Sequence, residues 1–187
     1  MKIPKLIVIA SPSGGGKTSI VKALLERHPD FEFSVSATTR AMRPGEVNGK
    51  DYFFVTKEEF ERLIQQQELA EYEFFYDTYY GTLKSEINRA LSSGRSMIFD
   101  VDVKGARSIK QHYPNDTIQI FIAPPSQEVL EQRLRNRKTE DEATLRRRLE
   151  RVPMELEIGK TFDHIVVNDN LQRAIDEVDE IIKKFIH

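Results

Sequence analysis

The 187-residue sequence predicts an α/β protein on a parallel sheet of about five strands flanked by helices, and three observations predict it. Strand-sized apolar runs alternate with segments of helical spacing, the order that builds a parallel sheet. Most of the runs are continuous rather than alternating, as in strands covered on both faces. A glycine-rich stretch, "SPSGGGKT", joins the first run to the first helical segment.

In chain order, "KLIVIA" is the first strand. Its apolar core, residues 6–10, is shorter than a secretory h-region and reads as a buried strand. Residues 18–27 then carry helical spacing, and "FSVS" at 33–36 is the next strand. Residues 37–82 break the rhythm: they are rich in Thr, Arg, Gly and aromatics, with a short helix near 58–67 between extended pieces, and so predict an inserted α+β lobe. The alternation resumes with a helix at 83–92, strand "SMIFDV", a helix at 103–112, strand "TIQIFIA" and a helix at 127–136. "NRKTEDE" at 136–142 is irregular and predicts a mobile cover. A helix at 142–158, strand "DHIVVN" and a helix at 171–185 complete the series.

Composition excludes several classes of function. The 28 Lys and Arg are balanced by 30 Asp and Glu, a formal charge of -2, so no bulk field draws the chain to nucleic acid or an anionic membrane. No run approaches a membrane span. The absence of cysteine removes disulfides, thiolate catalysis and Cys-type zinc sites, and suits a reducing cytoplasm. Charge patterns define no oligomer interface. The histidines at 28, 112, 164 and 187 are scattered and form no catalytic or metal set.

The glycine stretch carries the first chemistry. Between a strand and a helix, Ser11, Pro12, Ser13, Gly14, Gly15 and Gly16 form a loop whose backbone N–H groups enclose phosphate. Lys17 reaches the β and γ phosphates, and the Thr18 hydroxyl is placed for Mg²⁺. Ser11 stands where the usual pattern has its first glycine, a position that mainly eases the exit from the strand. In "SMIFDVDVKG", Asp100 and Asp102 fall on one side of a strand end, where α/β sheets place ligands. One can organise Mg²⁺ and its waters and the other contact an acceptor, while helix capping is the alternative for Asp102. Arg40 and Arg43 flank the turn-prone "RAMRPGE" with guanidinium forks that suit a phosphate; without further information they would read as surface charges. In "RLRNRKTEDEATLRRRLER", consecutive helical arginines at 146, 147 and 148 point in different directions, so selected ones matter rather than the cluster.

"SVSATTRAMRPGEVNGKDYFFV", "YYGT", "IFDVDVKGA" and "VVND", in this order and across essentially the whole chain, resemble the guanylate kinase family. The resemblance implies a P-loop kinase fold that transfers the γ-phosphate of ATP to GMP or dGMP. It implies one domain with a core of 1–36, 83–135 and 150–187, a GMP-binding lobe at 37–82 and a lid at 136–149. It assigns the GMP phosphate to Arg40 and Arg43, with hydroxyls from Tyr52 and Tyr80, and the guanine edge to Glu71, Ser36 and Thr82. It places Arg137 and Arg148 over the transferring phosphates and Asn168 at adenine. Asp100 and Asp102 join the acceptor site, and Thr18 and Asp100 the metal site. From the residues alone, Glu71 would be a solvated strand charge and Asn168 a turn former. Two rivals remain at this point: a non-enzymatic domain of guanylate-kinase type, which Lys17, Thr18 and the lid arginines oppose, and a kinase of the same fold with another acceptor, which "TTRAMRPGEVNGKDY" and "YYGT" oppose.

Overall fold

The computed structural model describes residues 3–75, 77–136 and 142–186, with residues 143 and 144 described by backbone only. In chain order the elements begin with β1 (Leu6–Ala10), α1 (Lys17–Arg27), β2 (Glu32–Phe33), β3 (Ala37–Thr38), β4 (Phe53–Phe54) and α2 (Lys57–Gln65). β5 (Leu69–Phe75), β6 (Thr78–Leu83), α3 (Lys84–Ser92), β7 (Met97–Asp100) and α4 (Val103–His112) follow. β8 (Thr117–Ala123), α5 (Gln127–Asn136), α6 (Glu142–Gly159), β9 (His164–Val167) and α7 (Leu171–Ile186) close the chain.

Five strands form a parallel sheet in the order β2-β7-β1-β8-β9, as the sequence predicts. Every residue of β1 is fully buried, which explains why its sequence is apolar throughout. Strand periodicity sends Ile7 and Ile9 to one face, against Ile20, Val21 and Leu24 of α1 and the apolar side of α7. Leu6, Val8 and Ala10 point to the other face, among Ile87 and Ala90 of α3 and Val103, Ala106 and Ile109 of α4. Burial of an aliphatic side chain contributes about 1.5–3 kcal/mol, so this double cover makes β1 the anchor of the loop that follows it.

A four-stranded mixed sheet, β4-β3-β6-β5, stands beside the first. "FSVS" departs from expectation here. β2 ends at Phe33 and β3 begins at Ala37, so 34–36 is the passage between the two sheets rather than a strand of one. Ser34 N–H still bonds Ile98 O of the large sheet, whereas Ser36 O already accepts from Phe53 N–H of the small one. Ala37, Phe60, Leu63 and Leu69 fill a separate core under the small sheet. The short helix starts where Thr56 Oγ1 accepts from Glu59 N–H, an ordinary N-cap. Leu130 and Leu134 of α5 pack with Leu145 and Val152 of α6. Pro153 lies inside α6, where it removes one donor from the helical ladder. Among the described residues no helix is long and apolar enough to cross a membrane.

Candidate active site

The loop leaves β1 at Ser11 and runs into α1 at Lys17. Gly14 and Gly16 take φ of 88° and 91°, a left-handed backbone that favours glycine. Gly15 is required for a different reason: a Cβ there would lie 2.7 Å from Ser11 Cβ. Ser11 is 6% exposed, and its hydroxyl donates to Pro12 O at 2.9 Å, so the serine is absorbed into the loop and packs on Gly15. Gly15 N–H also donates to Pro12 O, at 2.9 Å, so this amide closes the turn. Asn168, which follows β9, donates its amide to Gly15 O at 2.9 Å and is 4% exposed. Its described contact is therefore to the loop backbone; Arg133 holds the Asn168 carbonyl in turn.

Asp100 ends β7 beside β1, level with Ile9. Its Oδ1 lies 2.7 Å from Lys17 Nζ, and its Oδ2 accepts from Thr18 Oγ1 at 3.0 Å. Lys17 Nζ also donates to Val101 O at 3.1 Å. Lysine, hydroxyl and carboxylate thus converge at the mouth of the loop, and the hydroxyl and carboxylate are the hard oxygen donors that suit Mg²⁺ alongside phosphates and waters. Asp102 sits two residues beyond the strand and caps α4, accepting from Gly105 N–H at 2.6 Å. Capping, the alternative reading of this residue, is thus present in the structure. Among the described residues no cluster of three or more His, Cys, Asp or Glu side chains is arranged to hold a metal.

The small sheet gathers the residues expected around the acceptor. Glu71 pairs with Thr82 and Glu73 with Tyr80 across β5 and β6, while Ala37 pairs with Gly81 across β3 and β6 and with Phe53 across β3 and β4. Continuing those registers by one residue brings Thr82, Ser36 and Tyr52 into one row with Glu71. Tyr80 lies one row along on the same face, and its ring meets that of Tyr52 edge-on with centroids 6.1 Å apart. Arg40 extends that face, its guanidinium 5.2 Å from the Tyr52 ring centroid. Glu46 takes both forks of Arg40, at 3.1 and 2.6 Å, and also accepts from Arg43 N–H at 2.7 Å. The Glu46 hydrogen bond raises the Arg40 pKa and depresses that of Glu46. The Arg43 side chain is exposed.

Glu71 owes its direction to a β-bulge. Leu69 pairs with Leu83, yet Glu71 pairs with Thr82, so Ala70 is the extra residue. In a regular strand positions 69 and 71 would share a face; here Leu69 turns into the apolar core and Glu71 to the polar side. Ser108 Oγ of α4 pins the bulge by donating to Ala70 O at 2.6 Å. Thr82 Oγ1 donates to Glu71 Oε1 at 2.6 Å, and a Cβ on Gly105 would come within 2.9 Å of Glu71 Oε2. Burial, followed by the nearby charges of Asp102 and Glu73, raises the Glu71 pKa to about 7.

α6 closes the remaining side. Arg148 Nη1 reaches Ser13 Oγ at 2.5 Å, and with Arg147, Arg151 and Glu155 it lines a cleft of about 310 Å³ floored by the glycine loop. Arg146 faces away and pairs with Glu150, as the angular argument for this arginine run requires. Arg137 lies outside the described residues, as does the rest of 137–141.

The sequence matches the guanylate kinase family model over residues 3–185. The chain belongs to the guanylate kinase family. Among its relatives, the guanylate kinase of Chlorobium chlorochromatii is 47% identical over 182 residues, spanning 97% of this chain and 96% of that protein. That of Chlorobium luteolum is 44% identical over 185 residues, spanning 99% and 94%. The crystal structure of guanylate kinase from Anaplasma phagocytophilum superposes with a TM-score of 0.77 at 30% identity, covering all of this chain and 88% of that one. In this guanylate kinase family member, sequence reasoning missed Glu46, Glu73, Arg151 and Glu155, which join the site by ion pairs, and the bulge that aims Glu71. For Glu73 the sequence signal was alternation, since it lies two residues from Glu71 along one strand.

Proposed function

We propose that the chain transfers the γ-phosphate of ATP to GMP, giving ADP and GDP, reversibly and with Mg²⁺. The observation that carries this reading is one cleft with the glycine loop and Lys17 on its floor and Glu73, Phe75 and Asp102 on its wall, with Glu71, held by Thr82, two residues before Glu73 on the same strand. Glu71 as a carboxylate accepts from guanine N1–H and the 2-amino group, while Ser36 donates to O6 and Thr82 holds Glu71 in place. Adenine offers the wrong edge for that carboxylate. Arg40, Arg43, Tyr52 and Tyr80 take the GMP phosphate, with Glu46 keeping Arg40 extended until phosphate replaces it. Asp102 fixes α4 beneath the acceptor, and Asn168 acts on the donor by bracing Gly15.

The attacking group is an oxygen of the GMP phosphate. A phosphate monoester loses its second proton near pH 6, so no general base is needed. That oxygen forms a bond to the γ phosphorus while the bond to the β–γ bridging oxygen breaks, and ADP leaves with the electron pair. Lys17, Arg148 and Arg137 neutralise the charge that spreads over the transferring group. Thr18 and Asp100 are the residues that would hold Mg²⁺, which when bound supplies positive charge to the phosphate oxygens. We read residues 37–82 as the acceptor lobe and 136–149 as the lid on a core of 1–36, 83–135 and 150–187. We read the chain as a cytoplasmic enzyme with small-molecule partners; its formal charge of -2 provides no bulk field that would draw it to nucleic acid.

The test is ADP formation from ATP and Mg²⁺ with GMP, AMP, UMP and CMP in turn, beside Lys17→Ala. GMP alone should support rapid turnover, and Lys17→Ala should lower it by about 100-fold or more. Folded wild type without turnover on any acceptor would instead favour a non-enzymatic binding domain.

A further inference from the structure

Arg151 of α6 touches three parts of the molecule at once. Its Nη2 lies 2.8 Å from Glu73 Oε1 on β5 and 3.4 Å from Asp102 Oδ2 at the start of α4, and its Nε is 3.7 Å from Glu155 Oε1 on α6 itself. The guanidinium also stands 5.6 Å from the centroid of Phe75, two residues beyond Glu73. The Arg151 and Glu73 side chains are 30% and 37% exposed, so solvent and salt screen the pair in part, and its weight lies in the elements it joins.

The placement links the two ends of the cleft. Glu73 lies two residues from Glu71 and shares its face, so a movement of β5 about the guanine carboxylate displaces Glu73 as well. Arg148, Arg151 and Glu155 fall on one side of α6 because they are three and four residues apart. Arg148 is bonded to Ser13 of the glycine loop, and Glu155 lines the same cleft as that loop. A continuous path therefore runs from the base pocket through Glu73 and Arg151 to the loop that holds the donor.

We propose that the Glu73–Arg151 pair is a tie across the cleft that makes GMP and ATP bind cooperatively, with both side chains acting as positioning residues. The inference rests on the kinase reading above. Neither residue has to touch a substrate: a lobe drawn toward GMP carries α6 with it and seats Arg148 over the loop, and an occupied loop holds α6 where Glu73 can reach it. By linkage the effect is reciprocal.

Calorimetric titration of GMP, with and without a saturating non-hydrolysable ATP analogue and Mg²⁺, tests this in wild type, Glu73→Gln, Arg151→Gln and the double variant. In wild type the analogue should tighten GMP binding by about fivefold or more, the lower range of coupling between sites. Each single variant should reduce that factor to below about twofold, and the double variant should lose no more than either, the signature of one shared interaction. The KM for GMP at saturating ATP should rise by about the factor by which the coupling falls, and by more than kcat falls, and Arg151→Lys should recover part of the loss. A wild-type factor of one, full coupling in Glu73→Gln, or additive losses would overturn the tie. Glu73→Gln keeps the shape of its residue and decides the matter alone if Arg151→Gln does not fold. Should wild type fail to turn over GMP at all, the kinase reading falls and the tie with it; turnover with coupling untouched in both variants removes the tie alone.

Discussion

Glu71 is held in conflict with its own burial. Its pKa stands near 7 in the folded chain against an ordinary value of 4.5, so above pH 7 the protein carries a desolvated carboxylate, and below pH 4.5 the group is neutral in both states. A folded pKa raised for an acid means a stability cost that is fully present above the folded value and vanishes below the unfolded one. Glu71→Gln should therefore be more stable than wild type at pH 8, by about 1–3 kcal/mol, with the difference gone near pH 4, as read by urea unfolding. The same substitution should lower kcat/KM for GMP by about 100-fold, since guanine donors meet an amide that can turn its own N–H toward them, while KM for ATP stays put. In wild type, GMP binding should weaken as pH falls from 8 to 6 by more than in the Gln variant, which corrects for ionisation of GMP itself. Equal pH dependence in the two proteins would show that Glu71 is not the titrating contact.

At the level of elements, sequence patterns locate what local physics fixes. α4 and α5 occupy the segments their periodicity predicts, and α4 starts after Asp102 because that side chain caps it. What periodicity misses is decided by contacts distant in the chain. The passage at 34–36 looks like a strand because it is short and partly apolar, and only the positions of the two sheets make it a crossing. The bulge at Ala70 leaves no compositional mark, since alanine fits an ordinary strand; it exists because α4 offers Ser108 to the carbonyl. Ser108→Ala should raise KM for GMP severalfold, leave KM for ATP unchanged, and reduce stability by about 1 kcal/mol, the worth of one hydrogen bond. Unaltered GMP kinetics would mean that packing of Ala70 holds the bulge without the hydroxyl. The arginines show the same divide: the sequence indicates that 146, 147 and 148 cannot act together, but not that Arg151 is the one that spans to Glu73.

Across the whole molecule, the residues we propose for donor and acceptor are grouped by two sheets with separate cores, and the proposed donor side was the more legible because its loop is contiguous in sequence. The residues we propose for the acceptor come from β5 (Glu71), β6 (Tyr80 and Thr82) and the positions just before β3 (Ser36) and β4 (Tyr52), which no local pattern brings together. Those separate cores imply unequal resistance to transient opening. β1, closed on both faces and flanked by β7 and β8, should exchange its amide hydrogens for deuterium only through global unfolding, whereas β3, β4 and β6 should exchange through a cheaper partial opening that GMP suppresses. Uniform exchange rates across both sheets, measured by mass spectrometry, would contradict this. The buried β1 thus has a consequence for survival: a protease that catches the small sheet while it is open should nick the chain between β1 and β7, leaving two pieces still paired through the large sheet, with the nucleotide loop in place and the acceptor side severed.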